Sequence, residues 1–247
     1  MSKKKIIVLI ILLIILSLIT FFSYKIYKTL HDNKKIDEEI TKIKEEVIIE
    51  KKEEEKPTEE PTTEEPVSEK LPMDFNKLKS INSDTVAWIK INNTNIDYPV
   101  VKGSDNTYYL DHSFYKEKNI NGWIFENAAN SSNFTDENTV LFGHNTNGYT
   151  MFSEIKDIYN GMHGTNINIT IYLENNTLNY KVFSVYLENP NNTSNISKYV
   201  NEAIIKDMKA KSKLAIDADI NEDSKILTLS TCNNLTNDRL VLHAVKY

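Results

Sequence analysis

Residues 6–22 read IIVLIILLIILSLITFF, a stretch without a single charge. Extended through Ser23 and Tyr24 to Ile26, it reaches the length of about 20 residues that a bilayer crossing needs, with Lys25 able to snorkel. Lys3, Lys4 and Lys5 precede it, and positive flanks stay on the cytoplasmic side. Phe21, Phe22 and Tyr24 are bulky where a signal-peptide cleavage site would want small residues. The pattern predicts an uncleaved anchor over 6–26, with residues 1–5 in the cytoplasm and the rest of the chain outside.

Beyond the anchor the pattern changes twice. Over 33–55, Lys, Glu and Ile dominate, and Ile36, Ile40, Ile43 and Val47 recur every three or four positions. That is a helical stripe on a heavily charged segment, a juxtamembrane helix or weak coiled coil whose simplest role is a solvated spacer. Residues 56–72 (KPTEEPTTEEPVSEKLP) hold four prolines and almost nothing to bury. Residues 27–72 are therefore expected to form a charged helical spacer followed by a Pro/Glu-rich linker.

Residues 73–247 are enough for one substantial hydrophobic core. A short helix is expected over Asp74–Ile81, with Phe75, Leu78 and Ile81 on one face. Strand patterns follow at Val86–Ile91, Ile96–Val101, Gly122–Phe125, Thr139–Phe142 and Ile167–Tyr172, and at Leu178–Leu187 across an Asn175-Asn176 turn. Helical spacing returns over 195–214 through Ile196, Val200, Ile204, Ile205 and Met208. Two strands close the chain, Lys225–Thr231 and Leu240–Val245. Many short strands with one late helix predict a mostly β domain, a closed or partly closed barrel, with a sandwich as the alternative.

Charge and composition narrow the chemistry. The formal charge is −6, its acidic excess lying largely after the anchor, and no basic stripe with interleaved aromatics is present, which argues against nucleic acid as a partner. Cys232 is the only cysteine, so neither an intramolecular disulfide nor a four-thiolate metal site can form. A lone cysteine is often just a small buried hydrophobe. The neighbours of this one argue otherwise. Ile226–Cys232 and Arg239–Val245 are two β patterns joined by Asn233–Asp238. If they pair antiparallel, Cys232 ends one strand, Arg239 opens the next, and both stand at the same end of the sheet. Alternation puts Ile226, Thr228, Ser230 and Cys232 on one face, and Leu227 and Leu229 on the other.

A thiol of ordinary pKa is mostly protonated at neutral pH. A fixed guanidinium can raise its thiolate fraction or hold the oxyanion formed when a carbonyl is attacked, and the second role suits Arg239 better. Acyl transfer also needs a proton donor for the leaving amine. Of five histidines, His31 lies beside the anchor, His163 sits in a Gly-rich turn, and His243 lies inside the last strand. His144 ends the Thr139–Phe142 strand before a loop rich in Asn and Gly, where active sites tend to form, and His112 is the second choice.

Thr228-Leu229-Ser230-Thr231-Cys232 resembles the TLxTC signature of sortases, and Arg239 stands where their arginine follows on the next strand. Phe142-Gly143-His144-Asn145 is similar to the segment around their histidine. Within that family the chain is most similar to class B. Asn82–Ile89 with Ile96–Val101 resembles the entry into the class B barrel, Asp105–Leu110 continues the likeness, and a helix before the cysteine strand fits it too. The resemblance implies a sortase-like β-barrel with short peripheral helices and a longer helix before the cysteine strand, with Cys232, His144 and Arg239 as the site. It returns His112 to a structural or supporting role. It implies cleavage of a C-terminal sorting signal, LPxTG-like or NPxTN-like, on secreted proteins through a thioacyl intermediate, with transfer to the amine of a peptidoglycan precursor or cross-bridge. It implies no cofactor and no metal. Ser230, Thr231, Asn145 and Tyr149 are candidate groove residues. The connection Asn233–Asp238 is shorter than in some class B members, which predicts a more open groove. The rival readings are a pilin-polymerising sortase that uses a protein Lys as nucleophile, and a membrane-tethered peptide-binding module without catalysis.

Overall fold

A computed structural model of the chain describes residues 2–48, 72–146, 148–221, 223–232 and 237–247. The Pro/Glu-rich linker, apart from Pro72, and residues 233–236 of the Cys232–Arg239 connection lie outside the described residues.

Helix α1 (Lys3–Val47) runs 45 residues from the apolar stretch into the charged one. Its apolar half is exposed throughout. The rest behaves differently, because Ile36, Ile40, Ile43 and Val47 are buried in the same core as the barrel. The segment expected to be a solvated spacer is thus a docked helix over 33–47. An apolar stripe of this regularity costs about 25 cal/mol per Å² if left in water, so it finds a surface. Lys35 with Glu117 (2.6 Å) and Lys44 with Asp97 (2.8 Å) border the contact. The backbone of Asp74 donates to Val47 O (2.8 Å), where α2 (Phe75–Ile81) begins. Asp74 caps α2 by accepting from Lys77 N (3.1 Å).

Eight strands form a closed barrel. They are β1 (Thr85–Ile91), β2 (Asp97–Val101), β3 (Phe125–Glu126), β4 (Asn138–Phe142), β5 (Asn168–Leu173), β6 (Asn176–Glu188), β7 (Ile226–Cys232) and β8 (Arg239–Lys246). Their order around the barrel is β1-β2-β3-β4-β7-β8-β6-β5, with β2–β3 and β4–β7 parallel and the other pairs antiparallel. Closure pairs every strand on both sides and removes the edges that a sandwich would leave. The strand expected at Gly122–Phe125 shrinks to Phe125–Glu126. Gly122 has φ +54°, and Trp123 turns its backbone N–H to Tyr109 O (2.9 Å) and its ring N–H to Pro99 O (2.8 Å). The helical stretch over 195–214 is a 3-10 turn, Ser194–Ile196, and α4 (Glu202–Lys211), which Asn201 caps by accepting from Ile204 N (3.0 Å). A one-turn helix, α3 (Ile155–Tyr159), follows β4.

The alternation read along β7 has a physical counterpart. Leu227 and Leu229 join the barrel core, while Ile226 packs with Phe183, Tyr186, Met208 and Val241 in a second cluster around α4. Between these layers sits a polar chain. Thr228 Oγ1 donates to Asn138 Oδ1 (2.7 Å), so it must accept from His243 Nδ1 (2.8 Å), and His243 Nε2 accepts from the Tyr186 hydroxyl (3.1 Å). Both ring nitrogens are satisfied while the ring is neutral, and burial pushes its pKa down to about 3. His243 is a structural histidine.

Glu126 is a carboxyl buried completely. Neither carboxylate oxygen has a hydrogen-bond partner among the described residues, and Lys102 Nζ lies 3.6 Å away, itself donating to Asn130 O. Burial raises the carboxyl to about 7, Lys102 offsetting only part of the effect. Because the folded pKa exceeds the unfolded value, this carboxyl's contribution to stability is complete below about 4.5 and is lost as pH rises through 7. Glu126→Gln should therefore gain stability relative to the parent between pH 4.5 and pH 8, on the order of 3 kcal/mol. Denaturant unfolding of both proteins at the two pH values reads the difference. A gap that does not change with pH would mean that the carboxylate is solvated.

Candidate active site

Strand register brings the candidate residues to one end of the barrel. β4 and β7 run parallel, with Phe142 opposite Ser230, and Gly143 N still donates to Ser230 O (3.3 Å). Two positions beyond that pair stand His144 on one chain segment and Cys232 on the other. On the far side of β7, Cys232 is the register partner of Arg239, and Arg239 in turn pairs with Glu188 of β6. His144, Cys232 and Arg239 thus occupy three neighbouring segments at the same rim. Adjacent strands lie about 4.8 Å apart.

Two contacts on either side hold the backbone of His144. Phe152 N donates to His144 O (3.0 Å), and the Phe152 ring lies so close to Gly143 that an added Cβ would come within 2.7 Å of Cδ2. Only glycine lets the ring and the strand end approach in this way. The half-buried His144 ring donates from Nε2 to the carbonyl of Leu110 (2.7 Å). A carbonyl can only accept, so Nε2 carries a proton, and in the neutral ring Nδ1 is the basic nitrogen.

The loop after His144 is tightly built. Asn145 bridges Met151, and Thr146 Oγ1 bonds both the carbonyl (3.1 Å) and the hydroxyl (2.7 Å) of Thr150. Tyr149 and Met151 both have positive φ, +56° and +55°, a conformation that costs non-glycine residues about 1–3 kcal/mol each. Asn145 is half-buried and Tyr149 exposed, both beside His144 in the chain. Ser230 and Thr231, by contrast, are buried, and neither hydroxyl has a hydrogen-bond partner among the described residues. His112 is occupied in its own turn, with Nδ1 at 2.8 Å from Tyr108 O and its ring stacked on Tyr108 at 4.0 Å. It belongs to the segment whose Leu110 carbonyl orients His144. That carbonyl, and the Gly143–Phe152 contact, escaped sequence reasoning, since a backbone acceptor carries no residue signature.

The family profile described as Sortase domain matches residues 89–247. Sortase B of Listeria monocytogenes is 30% identical over 171 residues, covering 65% of this chain and 67% of that protein. Sortase B of Staphylococcus aureus is 31% identical over 179 residues, covering 69% and 73%. Among solved structures, Clostridium perfringens sortase B superposes with a TM-score of 0.65 at 38% identity, over 70% of this chain and all (100%) of that one. The barrel, its order of strands and these likenesses agree, and the chain belongs to the sortase family, within class B, as a transpeptidase.

Proposed function

We propose that Cys232 is the nucleophile of this transpeptidase, His144 its proton carrier and Arg239 its oxyanion ligand. The observation that carries the reading is the register: β4 parallel to β7 and β7 antiparallel to β8 bring the three to one rim. In the first half-reaction the thiolate attacks the carbonyl of the scissile bond in a C-terminal sorting signal. The oxyanion is held by the planar guanidinium of Arg239. As the C–N bond breaks, the imidazolium of His144 gives the proton on Nδ1 to the departing amine, leaving a thioester on Cys232. In the second half-reaction an incoming amine attacks that thioester, His144 takes its proton back, and the thiolate leaves. The buried hydroxyl of Ser230, which has no hydrogen-bond partner among the described residues and lies on the Cys232 face of β7 by alternation, is a donor available to a peptide laid along that strand. Thr231, Asn145 and Tyr149 complete the candidate groove.

The signal is of the NPxTN or LPxTG kind carried by secreted proteins, and the acceptor is a peptidoglycan amine. Relatives give this support, since structures exist of Staphylococcus aureus sortase B in complex with substrate and of a sortase B in complex with triglycine. The apolar part of α1 meets the length and hydropathy of a membrane span. It serves here as a single-pass anchor, with Lys3–Lys5 in the cytoplasm and the barrel outside. The test is to incubate the full chain in detergent with NPxTN-like and LPxTG-like signal peptides and triglycine. A peptide–triglycine ligation product is expected, together with a hydroxamate when hydroxylamine replaces the acceptor. Peptide binding without cleavage would leave only the tethered binding module.

A further inference from the structure

We infer that the end of the barrel carrying His144 rests on the lipid surface beside the anchor, with Ile120 and Tyr149 as its contact points. The inference depends on reading the apolar part of α1 as a membrane span. The path of α1 then sets the geometry. Residues 3–47 contain neither Gly nor Pro, the usual causes of a sharp kink, and form one helix from the apolar run into the docked segment. From Ile26, where the apolar run ends, to Asn33, where docking begins, the helix advances only about 10 Å at 1.5 Å per residue.

The residues that meet Asn33 identify which end of the barrel lies at that height. Its side-chain oxygen accepts from Asn121 Nδ2 (3.0 Å), and Gly148 packs so closely that a Cβ there would clash with the Asn33 amide. Gly148 belongs to the loop that follows His144. The other end of the docked segment, Val47 and Ile48, meets Asp74 and Met73, more than two further helical turns from the anchor. The site rim is therefore the end of the domain nearest the anchor.

That same end is unusually apolar for a surface meant for water. Ile120 and Tyr149 are each 64% exposed, one residue from Asn121 and Gly148 respectively. Tyr108 and Leu110 are exposed beside them, Leu110 through the carbonyl that binds His144 and through its contact with Gly122. An isoleucine and tyrosines gathered at the height of a helix exit match the interfacial belt of membrane proteins. Two acids on this side are paired with lysines, Glu117 with Lys35 (2.6 Å) and Asp111 with Lys118 (2.8 Å). Lys25 and Lys28 lie at headgroup level, where anionic lipid attracts them. Docked in this way, the transfer site opens at the bilayer surface, and an acceptor amine carried on a lipid meets it by lateral diffusion.

The experiment uses the full chain in nanodiscs of phosphatidylcholine and phosphatidylglycerol, with brominated phosphatidylcholine as a fluorescence quencher. The native Trp88 and Trp123 are buried and provide a constant background. A tryptophan is introduced by Ile120→Trp or Tyr149→Trp. The control is Tyr199→Trp, equally exposed but next to Lys198, whose carbonyl binds the opposite end of β4 at Asn138. Leu16→Trp reports the anchor itself. Quenching of the first two variants should exceed that of the control by about twofold or more, as for side chains at the headgroup level. Quenching at Leu16→Trp with Ile120→Trp and Tyr149→Trp no different from the control would overturn the apposition while leaving the anchor intact. An unquenched Leu16→Trp would remove the anchor reading and this inference together, whatever the ligation assay shows.

Discussion

Cys232→Ala should eliminate both ligation and hydroxamate formation, a loss on the order of 10⁴-fold or more, which corresponds to at least about 5.5 kcal/mol of transition-state stabilisation. The thiolate forms the only covalent bond to the acyl group, and no other cysteine exists in the chain to replace it. The loss should be nearly independent of His144. A nucleophile and its proton carrier act as one unit, so Cys232→Ala combined with His144→Gln should be no slower than Cys232→Ala alone. The thermal unfolding midpoint separates chemistry from structure, because β7 pairs with β4 and β8 through backbone bonds that alanine keeps. Residual ligation by the alanine variant within about tenfold of the parent would place the nucleophile elsewhere.

Arg239→Lys should lower kcat/KM by about 10²–10³-fold although the charge is conserved. Arg239 opens β8 opposite Cys232, half-buried between that residue and the register partner Glu188. From this position a guanidinium presents donors in a fixed plane, while an ammonium on a flexible stem presents a point charge. If the duty is to hold an oxyanion, the loss should appear mainly in kcat, and Arg239→Gln should be worse than Lys. A rise in KM alone, with kcat unchanged, would move Arg239 from transition-state stabilisation to substrate anchoring. Thiol alkylation rates across pH would then show whether the guanidinium acts on the thiolate instead.

Much of this architecture is legible in the amino-acid pattern, for a definite reason. Side chains along β7 alternate between the barrel core and the cluster around α4, all of those described being buried, and the hydrophobic pattern of β1, β4, β5, β6 and β8 is equally direct, so a mostly β barrel follows from local chemistry. The Asp74 cap and the stripe of α4 are local too. Where the pattern misleads, the deciding contact is distant in sequence. Gly122–Phe125 has a strand's composition but loses it to bonds from Trp123 to Tyr109 and Pro99. The 195–214 stretch forms an α-helix only where Asn201 starts it and Lys211 ends it.

The sequence by itself determined which residues can do chemistry: one thiol, one arginine seven positions later, a histidine at a strand end, and an apolar run long enough to cross a bilayer. Side-chain identity, spacing and hydropathy are local properties, and they survive without a fold. Only the tertiary structure decided that β4 runs parallel to β7, which brings His144 level with Cys232. It also assigned the proton on His144 to the nitrogen facing Leu110, and it laid the charged half of α1 against the barrel instead of in solvent. Each of these depends on groups dozens of residues apart meeting in space, and no pattern within a single segment records such a meeting.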